Sequence, residues 1–120
     1  GVFMRHFNKL LAAAGLAIVM ATHVYAETVS PQDASRYVGS LVAVEGIVSQ
    51  VSKSGGTTFI NFGGRYPNHV FYAVILRSNS GSFSDTQSLE GRKIAISGHI
   101  EFYKGKPQIV LRSPDQIELR

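Results

Sequence analysis

Short segments rich in valine and isoleucine, separated by glycine-containing turns, dominate the later part of this chain. In the segment Leu41 to Val51, the residues Val42, Val44 and Val48 fall on one face of an extended chain, as in a half-buried strand. Lys53 to Gly56 follows with consecutive glycines, which adopt positive φ without a Cβ clash and favour a hairpin turn. This pattern predicts an all-β domain.

The same criteria predict four more strands, at residues 57–62, 70–77, 92–103 and 108–112. Gly46 and Gly98 interrupt the first and fourth strands, and a glycine inside a strand indicates a bend or a bulge. Residues 78–91 form a long connection, with a helical turn expected around residues 83–89. Ser30 to Asp33, with a serine cap and a proline in the first turn, predicts a short N-terminal helix that Gly39 ends.

Three strands, a short helical connection and two further strands predict a five-stranded OB-fold Greek-key barrel. Three stretches, residues 59–67 (FINFGGRYP), 89–94 (LEGRKI) and 103–109 (YKGKPQI), resemble small bacterial OB domains of the nucleic-acid-binding type. Some members of that family occur beside thermonuclease domains. The resemblance covers residues 30–119 and implies a binding module.

The N-terminal residues have the pattern of a targeting sequence. Arg5 and Lys9 precede the uncharged run 10–21, and compact residues precede Glu27. That run is shorter than the ~20 apolar residues that span a bilayer. We therefore expect a cleaved signal peptide at residues 1–26, an OB-fold domain at residues 27–120, and a periplasmic or secreted protein.

Charge and cysteine content restrict the possible partners only weakly. The chain carries a net charge of +4, and loss of Arg5 and Lys9 with the signal peptide halves that excess. The cations nevertheless cluster in residues 46–77 and 92–112, which together hold a single acid, Glu101. The absence of cysteine excludes disulfides and thiolate metal sites.

An OB barrel binds oligonucleotides on its second and third strands and in the loops after the first and fourth strands. Single-stranded binders combine cations along the backbone path with aromatic rings on which bases stack. We therefore expect single-stranded DNA or RNA as the partner, with affinity that falls steeply with salt. The candidate nucleic-acid-binding residues are Lys53, Phe59, Asn61, Arg65, Tyr66, Tyr72, Arg77, Tyr103, Lys104 and Lys106.

Several aromatic, basic and glycine residues of the predicted strands and turns have a structural role as the alternative to ligand binding. Phe62, Phe71 and Phe102 are expected in the core, whereas Phe59 is open between the core and the binding face. Tyr66 and Tyr103 can also serve as loop covers whose hydroxyls face water. Lys104 and Lys106 fit equally well a solvated turn that protects a strand edge. The glycine pair at 63–64 is expected to serve as a plain turn.

Catalysis is not predicted. His69 and His99 lack a metal-ligand spacing and are expected at the surface or in loops, and no Gly-x-Ser-x-Gly elbow is present. The calcium-binding carboxylate cluster of a thermonuclease is also missing from the sequence. We expect no enzyme activity, no cofactor and no metal. The alternative function is an exported envelope or stress protein that binds a protein, a glycan or a small ligand through the same barrel.

Overall fold

The computed structural model describes residues 26–120, so the predicted signal peptide, apart from Ala26, lies outside the described residues. No helix in the described range is long and apolar enough to cross a membrane. The described chain is all-β with short 3₁₀ helices, as predicted. Its strands are β1 (Glu27–Val29), β2 (Leu41–Ser54), β3 (Thr57–Phe62), β4 (Phe71–Ile75), β5 (Lys93–His99), β6 (Glu101–Tyr103), β7 (Lys106–Val110) and β8 (Ile117–Leu119).

The strands form one sheet in the order β6-β7-β4-β3-β2-β5-β8, with β1 parallel to β2. Besides β1, β2 has two antiparallel partners: Leu41 to Ile47 pairs with β5, and Val48 to Ser54 pairs with β3. β4 and β7 are parallel neighbours, and β6 pairs with β7. Only Ile100 separates β5 from β6 along the chain, so one continuous stretch pairs with both β2 and β7.

The inward positions of these strands form a single hydrophobic core. Phe62 and Phe71 are fully buried, with ring centroids 5.4 Å apart, which confirms their predicted place. The expectation for Phe102 was wrong, since 54% of this residue is exposed. β6 pairs only with β7 and all three of its residues are exposed, so the inward alternation that buries Ile100 does not continue along the strand.

Gly46 has a different role from the predicted bend. Pairing with β5 stays in register through Gly46, and the register shift of β2 lies between Val48 and Gln50, in its pairing with β3. A Cβ on Gly46 would lie 2.7 Å from Pro31 Cγ. The glycine therefore permits the segment after β1 to pack directly on the sheet.

The helices are all of the tighter 3₁₀ type. The first is a 3₁₀ helix, Pro31–Tyr37, and the predicted Ser30 cap is present, with the Asp33 N–H donating to Ser30 Oγ at 3.2 Å. The connection between β4 and β5 holds two more 3₁₀ helices, Arg77–Ser82 and Thr86–Leu89. A fourth, Pro114–Gln116, precedes β8.

Candidate nucleic-acid interface

A cleft of about 640 Å³ opens on the outward face of β2, β3 and β4, beside the loop of residues 63–70. This volume is within the range of clefts that enclose small-molecule ligands, about 300–1,000 Å³. We call it the aromatic cleft. Its lining residues are Ser52, Ser54, Phe59, Asn61, Tyr66, Pro67, His69, Tyr72, Tyr103, Lys104 and Lys106.

A cross-strand row of five polar or aromatic residues runs along this face. Gln50 pairs with Asn61, Asn61 with Tyr72, Tyr72 with Gln108, and Gln108 with Glu101, on five successive strands. Residues opposed in this way lie within reach of one another, so the row is fixed by the register of the sheet. Asn61 Nδ2 donates to Gln50 Oε1 at 3.1 Å, and Gln108 Nε2 donates to Glu101 Oε1 at 2.8 Å.

Four rings follow one another through the cleft. Ring centroids are 6.0 Å apart for Phe59 and Tyr72, 5.5 Å for Tyr72 and His69, and 5.8 Å for His69 and Tyr66. Tyr72 is nearly buried, whereas Tyr66 and Tyr103 are 73% and 52% exposed. Phe59 lines the cleft beside Tyr72 and is not part of the core cluster, so it lies on the outward face of the sheet. The rings of Tyr66 and Tyr103 remain exposed.

The loop of residues 63–70 is held against β2 by its backbone. The Tyr66 N–H donates to Gln50 Oε1 at 2.8 Å, and the Gly64 N–H donates to Ser49 Oγ at 3.0 Å. Gly63 has φ +74°, and a Cβ there would collide with the Val70 side chain. The glycine pair thus serves the turn, as expected, and the Gly64 N–H is already used.

Lys106 and Lys104 have different surroundings. Lys106 Nζ donates to the carbonyl oxygens of Pro67 and His69, at 3.0 and 2.6 Å, and so ties β7 to the loop. Lys104 is exposed, and its Nζ lies 5.3 Å from the centroid of the Tyr103 ring. Lys106 therefore has a structural role, and Lys104 is the more available cation of the two.

His69 lies in the loop between β3 and β4, in keeping with the expected surface or loop position, but it is buried. It is 5% exposed, and its Nδ1 is sealed from solvent without a hydrogen-bond partner among residues 26–120. Burial, reinforced by the charge of Lys106, lowers the pKa of His69, which favours the neutral ring. Burial, then Tyr103 and Glu101, raise the pKa of Tyr72, so its hydroxyl stays protonated.

Seven of the ten predicted residues line the aromatic cleft, and three do not. Lys53 alternates to the opposite side of β2 from Ser52 and lines a second cleft, to which Ser54 also contributes. The Arg77 side chain packs over Gly56, where a Cβ would lie 2.9 Å from Arg77 Cγ. Arg65 is exposed in the loop beside Tyr66 but does not line the cleft.

The prediction missed the roles of Gln50, Ser52, Ser54 and His69. Alternation along β2 was a usable signal for the two serines and the glutamine, since these three share one face of the strand. No local pattern in the sequence marks His69. Its burial depends on the contact with Tyr72 and on the hydrogen bond from Lys106 Nζ to the His69 carbonyl oxygen. The hydrogen bond joins residues that are distant in the chain.

No family model matches this chain, and no curated protein matches it. Solved structures do match the chain. OBody AM2EP06 bound to hen egg-white lysozyme is 15% identical, with a TM-score of 0.52, covering 82% of this chain and 96% of that one. OBody AM1L10 bound to hen egg-white lysozyme is 16% identical, with a TM-score of 0.54, covering 82% and 98%. An aspartyl-tRNA synthetase from Leishmania major Friedlin is 11% identical, with a TM-score of 0.52.

The chain has an OB-type fold. At these identities the likeness concerns the fold alone, because one fold supports many unrelated functions. The match covers 82% of this chain but only 21% of the synthetase. Any binding activity must therefore be argued from the residues of the cleft itself.

Proposed function

We propose that this OB-type domain is a binding module for single-stranded nucleic acid and that the aromatic cleft is its binding site. Bases stack on the exposed rings of Tyr66 and Tyr103, and base edges meet the polar floor between them. The observation that carries the proposal is the floor. Asn61, His69 and Tyr72 are each more than nine-tenths buried, yet Asn61 Oδ1, His69 Nε2 and Tyr72 Oη have no hydrogen-bond partner among the described residues.

These three atoms are not sealed from solvent, in contrast to His69 Nδ1. They line a cleft in which a flat ligand can reach them. Water can hydrogen-bond to these atoms in the free protein, so a ligand that reproduces those hydrogen bonds while it stacks on the rings loses little when it displaces that water. Nucleobases have both a planar face for stacking and an edge of donors and acceptors, which matches the two kinds of group present.

The charges of the cleft favour stacking over contact with phosphates. Lys106 is engaged with backbone carbonyls, and Glu101 lies in the cross-strand row beside the cleft. Lys104 remains as the exposed cation in its lining. We therefore expect the affinity to depend only weakly on salt, in place of the steep dependence predicted from the sequence. Single-strand binding loses only about 0.7 logarithmic units of affinity per logarithmic unit of salt for each phosphate neutralised.

Fluorescence anisotropy with short labelled single-stranded DNA and RNA tests this function. Tyr66→Ala and Tyr103→Ala are expected to weaken binding by about 1–3 kcal/mol each, the usual contribution of one stacked base. Phe102→Ala is the matched control, because Phe102 adjoins Tyr103 on β6 and is similarly exposed, 54% against 52%, but does not line the cleft. No binding at low salt, or an equal loss in Phe102→Ala, would contradict the proposal.

A second candidate is a protein, glycan or small-molecule ligand in the same cleft, as in an exported envelope or stress protein. The scarcity of free cations in the lining favours it. In that case a neutral saccharide or a peptide binds, Tyr66→Ala and Tyr103→Ala abolish the binding, and an excess of oligonucleotide does not compete. Competition by the oligonucleotide would favour the first function.

We propose that the domain acts in the periplasm or outside the cell. The support is the basic start, the apolar run of residues 10–21 and the compact residues before Glu27. Mass spectrometry of the protein from cell fractions tests this. A mature chain that begins at Glu27 in the periplasmic or secreted fraction is expected, and an uncut chain in the cytoplasm would contradict it.

We also propose that five long strands, β2, β3, β4, the joined β5 and β6, and β7, close into a Greek-key barrel. The support is the single residue, Ile100, between β5 and β6, which pair with β2 and β7 respectively. NMR contacts between backbone protons from residues 93–103 to both β2 and β7 are expected. Contacts to β2 alone would indicate an open sheet.

A further inference from the structure

A second cleft, of about 360 Å³, lies at the β2–β3 hairpin, where the β4–β5 connection passes the end of the sheet. We call it the hairpin cleft. It adjoins the aromatic cleft at Ser54, which lines both, but Lys53 and Thr58 alternate to the opposite side of β2 and β3 from Ser52 and Phe59. The residues of its lining that carry the argument are Lys53, Thr58, Ile75, Phe83, Asp85 and Thr86.

Two hydroxyl groups of this cleft lack partners. Thr58 and Thr86 are 6% and 7% exposed, and neither side chain makes a hydrogen bond within residues 26–120. Neither hydroxyl is sealed from solvent. Thr58 pairs with Ile75 across the ladder, on the core side of β3, so its hydroxyl is at the end of the core and not on the outer surface. A nearly buried hydroxyl that lines a cleft can bind water there, or a ligand's polar atom in its place.

Two opposite charges also line the hairpin cleft without pairing. Lys53 and Asp85 are exposed, and neither forms an ion pair with another described residue. Asp85 has φ +52° and ψ +41°, a left-handed conformation that is uncommon outside glycine. Ser88 holds this turn, because its N–H and its Oγ both donate to the Asp85 carbonyl, at 3.2 and 2.7 Å.

We propose that the hairpin cleft binds a small zwitterion, namely a free α-amino acid with a small apolar side chain. The ligand's carboxylate meets Lys53, its ammonium group meets Asp85, and the threonine hydroxyls complete their hydrogen bonds. Ile75 and the half-buried Phe83 receive the apolar side chain. A simple anion would face the repulsion of Asp85, and a simple cation that of Lys53. A neutral saccharide would leave both charges without a counterpart.

Titration with L-valine, followed by amide chemical shifts in NMR spectra, tests the proposal on the whole domain. Shifts are expected at residues 53–58 and 80–86. Valinamide lacks the carboxylate and N-acetylvaline lacks the ammonium group, so each should bind at least about tenfold more weakly, the loss of one charge-assisted hydrogen bond. Equal binding of either analogue, stronger binding of glucose, or no shift with L-valine at any accessible concentration would overturn the proposal.

Variants that remove one charge at a time, while the domain stays folded, test the role of each charge in binding. Asp85→Asn keeps the shape and tolerates the left-handed backbone, and Lys53→Met keeps the apolar stem. Each is expected to weaken the binding of L-valine at least about tenfold, and Thr58→Val is expected to weaken it by a smaller factor. Lys104→Gln, in the aromatic cleft, is the control and should leave L-valine binding unchanged. If Asp85→Asn and Lys53→Met bind like the natural protein while their spectra remain those of a folded domain, the proposal is wrong.

Discussion

Lys106 donates a 2.6 Å hydrogen bond from Nζ to the carbonyl oxygen of His69, a residue 37 positions earlier in the chain. A side chain that the sequence places in a basic turn thereby holds the wall of the aromatic cleft. The bond fixes the backbone beside the His69 ring, and the ring in turn contacts Tyr66 and Tyr72. The lysine thus helps to fix the position of these rings.

Replacing Lys106 with methionine is expected to lower the free energy of unfolding by about 1–2 kcal/mol, because hydrogen bonds from a charged donor to two carbonyls are lost. Lys104→Met removes the same charge from the same turn and makes no such bonds, so its effect on stability should be negligible. Chemical denaturation of both variants measures the difference. Equal losses would mean that the turn's charge, and not the bonds of Lys106, stabilises the loop.

Gly46→Ala is expected to destabilise the domain by about 1–3 kcal/mol, the usual cost of forcing an extra methyl group into a packed site. The new Cβ would meet Pro31 Cγ at 2.7 Å. Gly81→Ala is the control, since a Cβ there meets nothing within 4 Å and its φ is not positive. Thermal unfolding of both variants, and of Gly46→Ala combined with Pro31→Ala, checks the mechanism. If the double variant is no more stable than Gly46→Ala, the contact with Pro31 is not the cause.

Acidification should destabilise the domain through His69. Its folded pKa is lowered, so the unfolded chain binds a proton first as the pH falls below the ordinary value of 6.5. The stability associated with the neutral ring is therefore complete above pH 6.5 and is lost as the pH falls through the lowered folded pKa. His69→Phe keeps a ring against Tyr66 and Tyr72 but cannot titrate. Denaturation at about pH 5 and about pH 8 should show a smaller pH effect in the variant. An identical pH effect in both proteins would exclude His69 as the source.

Oligonucleotide affinity should depend weakly on salt, and Lys104→Gln should reduce the slope of log affinity against log salt by about 0.7, the value for one phosphate contact. Arg77→Gln is the control, because the Arg77 side chain packs on Gly56, away from the aromatic cleft. Anisotropy titrations across a salt series give both slopes. A steep slope that Arg77→Gln also reduces would show that the nucleic acid contacts the hairpin end as well.

The strands were predictable wherever turn residues and alternation agree. Residues 57–62 match β3 at both ends, and the double-glycine turn before them is present. β1 and β8 were missed because each has only three residues, which is too few to show an alternating pattern of apolar and polar residues. Their positions are fixed by pairing with β2 and β5, which is a tertiary effect.

The composition of the site was more predictable than its electrostatics. Parity along β3 and β4 places Phe59, Asn61 and Tyr72 on one face, and the structure has them there. The partners of a lysine cannot be inferred from its local sequence. Lys106 was therefore left open between a ligand contact and a solvated turn, whereas its hydrogen bonds go to the backbone. The side of β2 that Lys53 occupies was open to inference from alternation, because its neighbour Ser52 lines the aromatic cleft and Lys53 does not.

The fourteen residues of β2 pair with β1, β3 and β5, so the strand is shared by both halves of the sheet. Neither half can separate from the other while β2 stays in place, and β2 cannot leave without breaking both. Amide hydrogens in the middle of β2 should therefore exchange with solvent only when the whole domain unfolds, whereas those of β6 and β8 exchange through local fraying. The domain should accordingly fold and unfold as one cooperative unit.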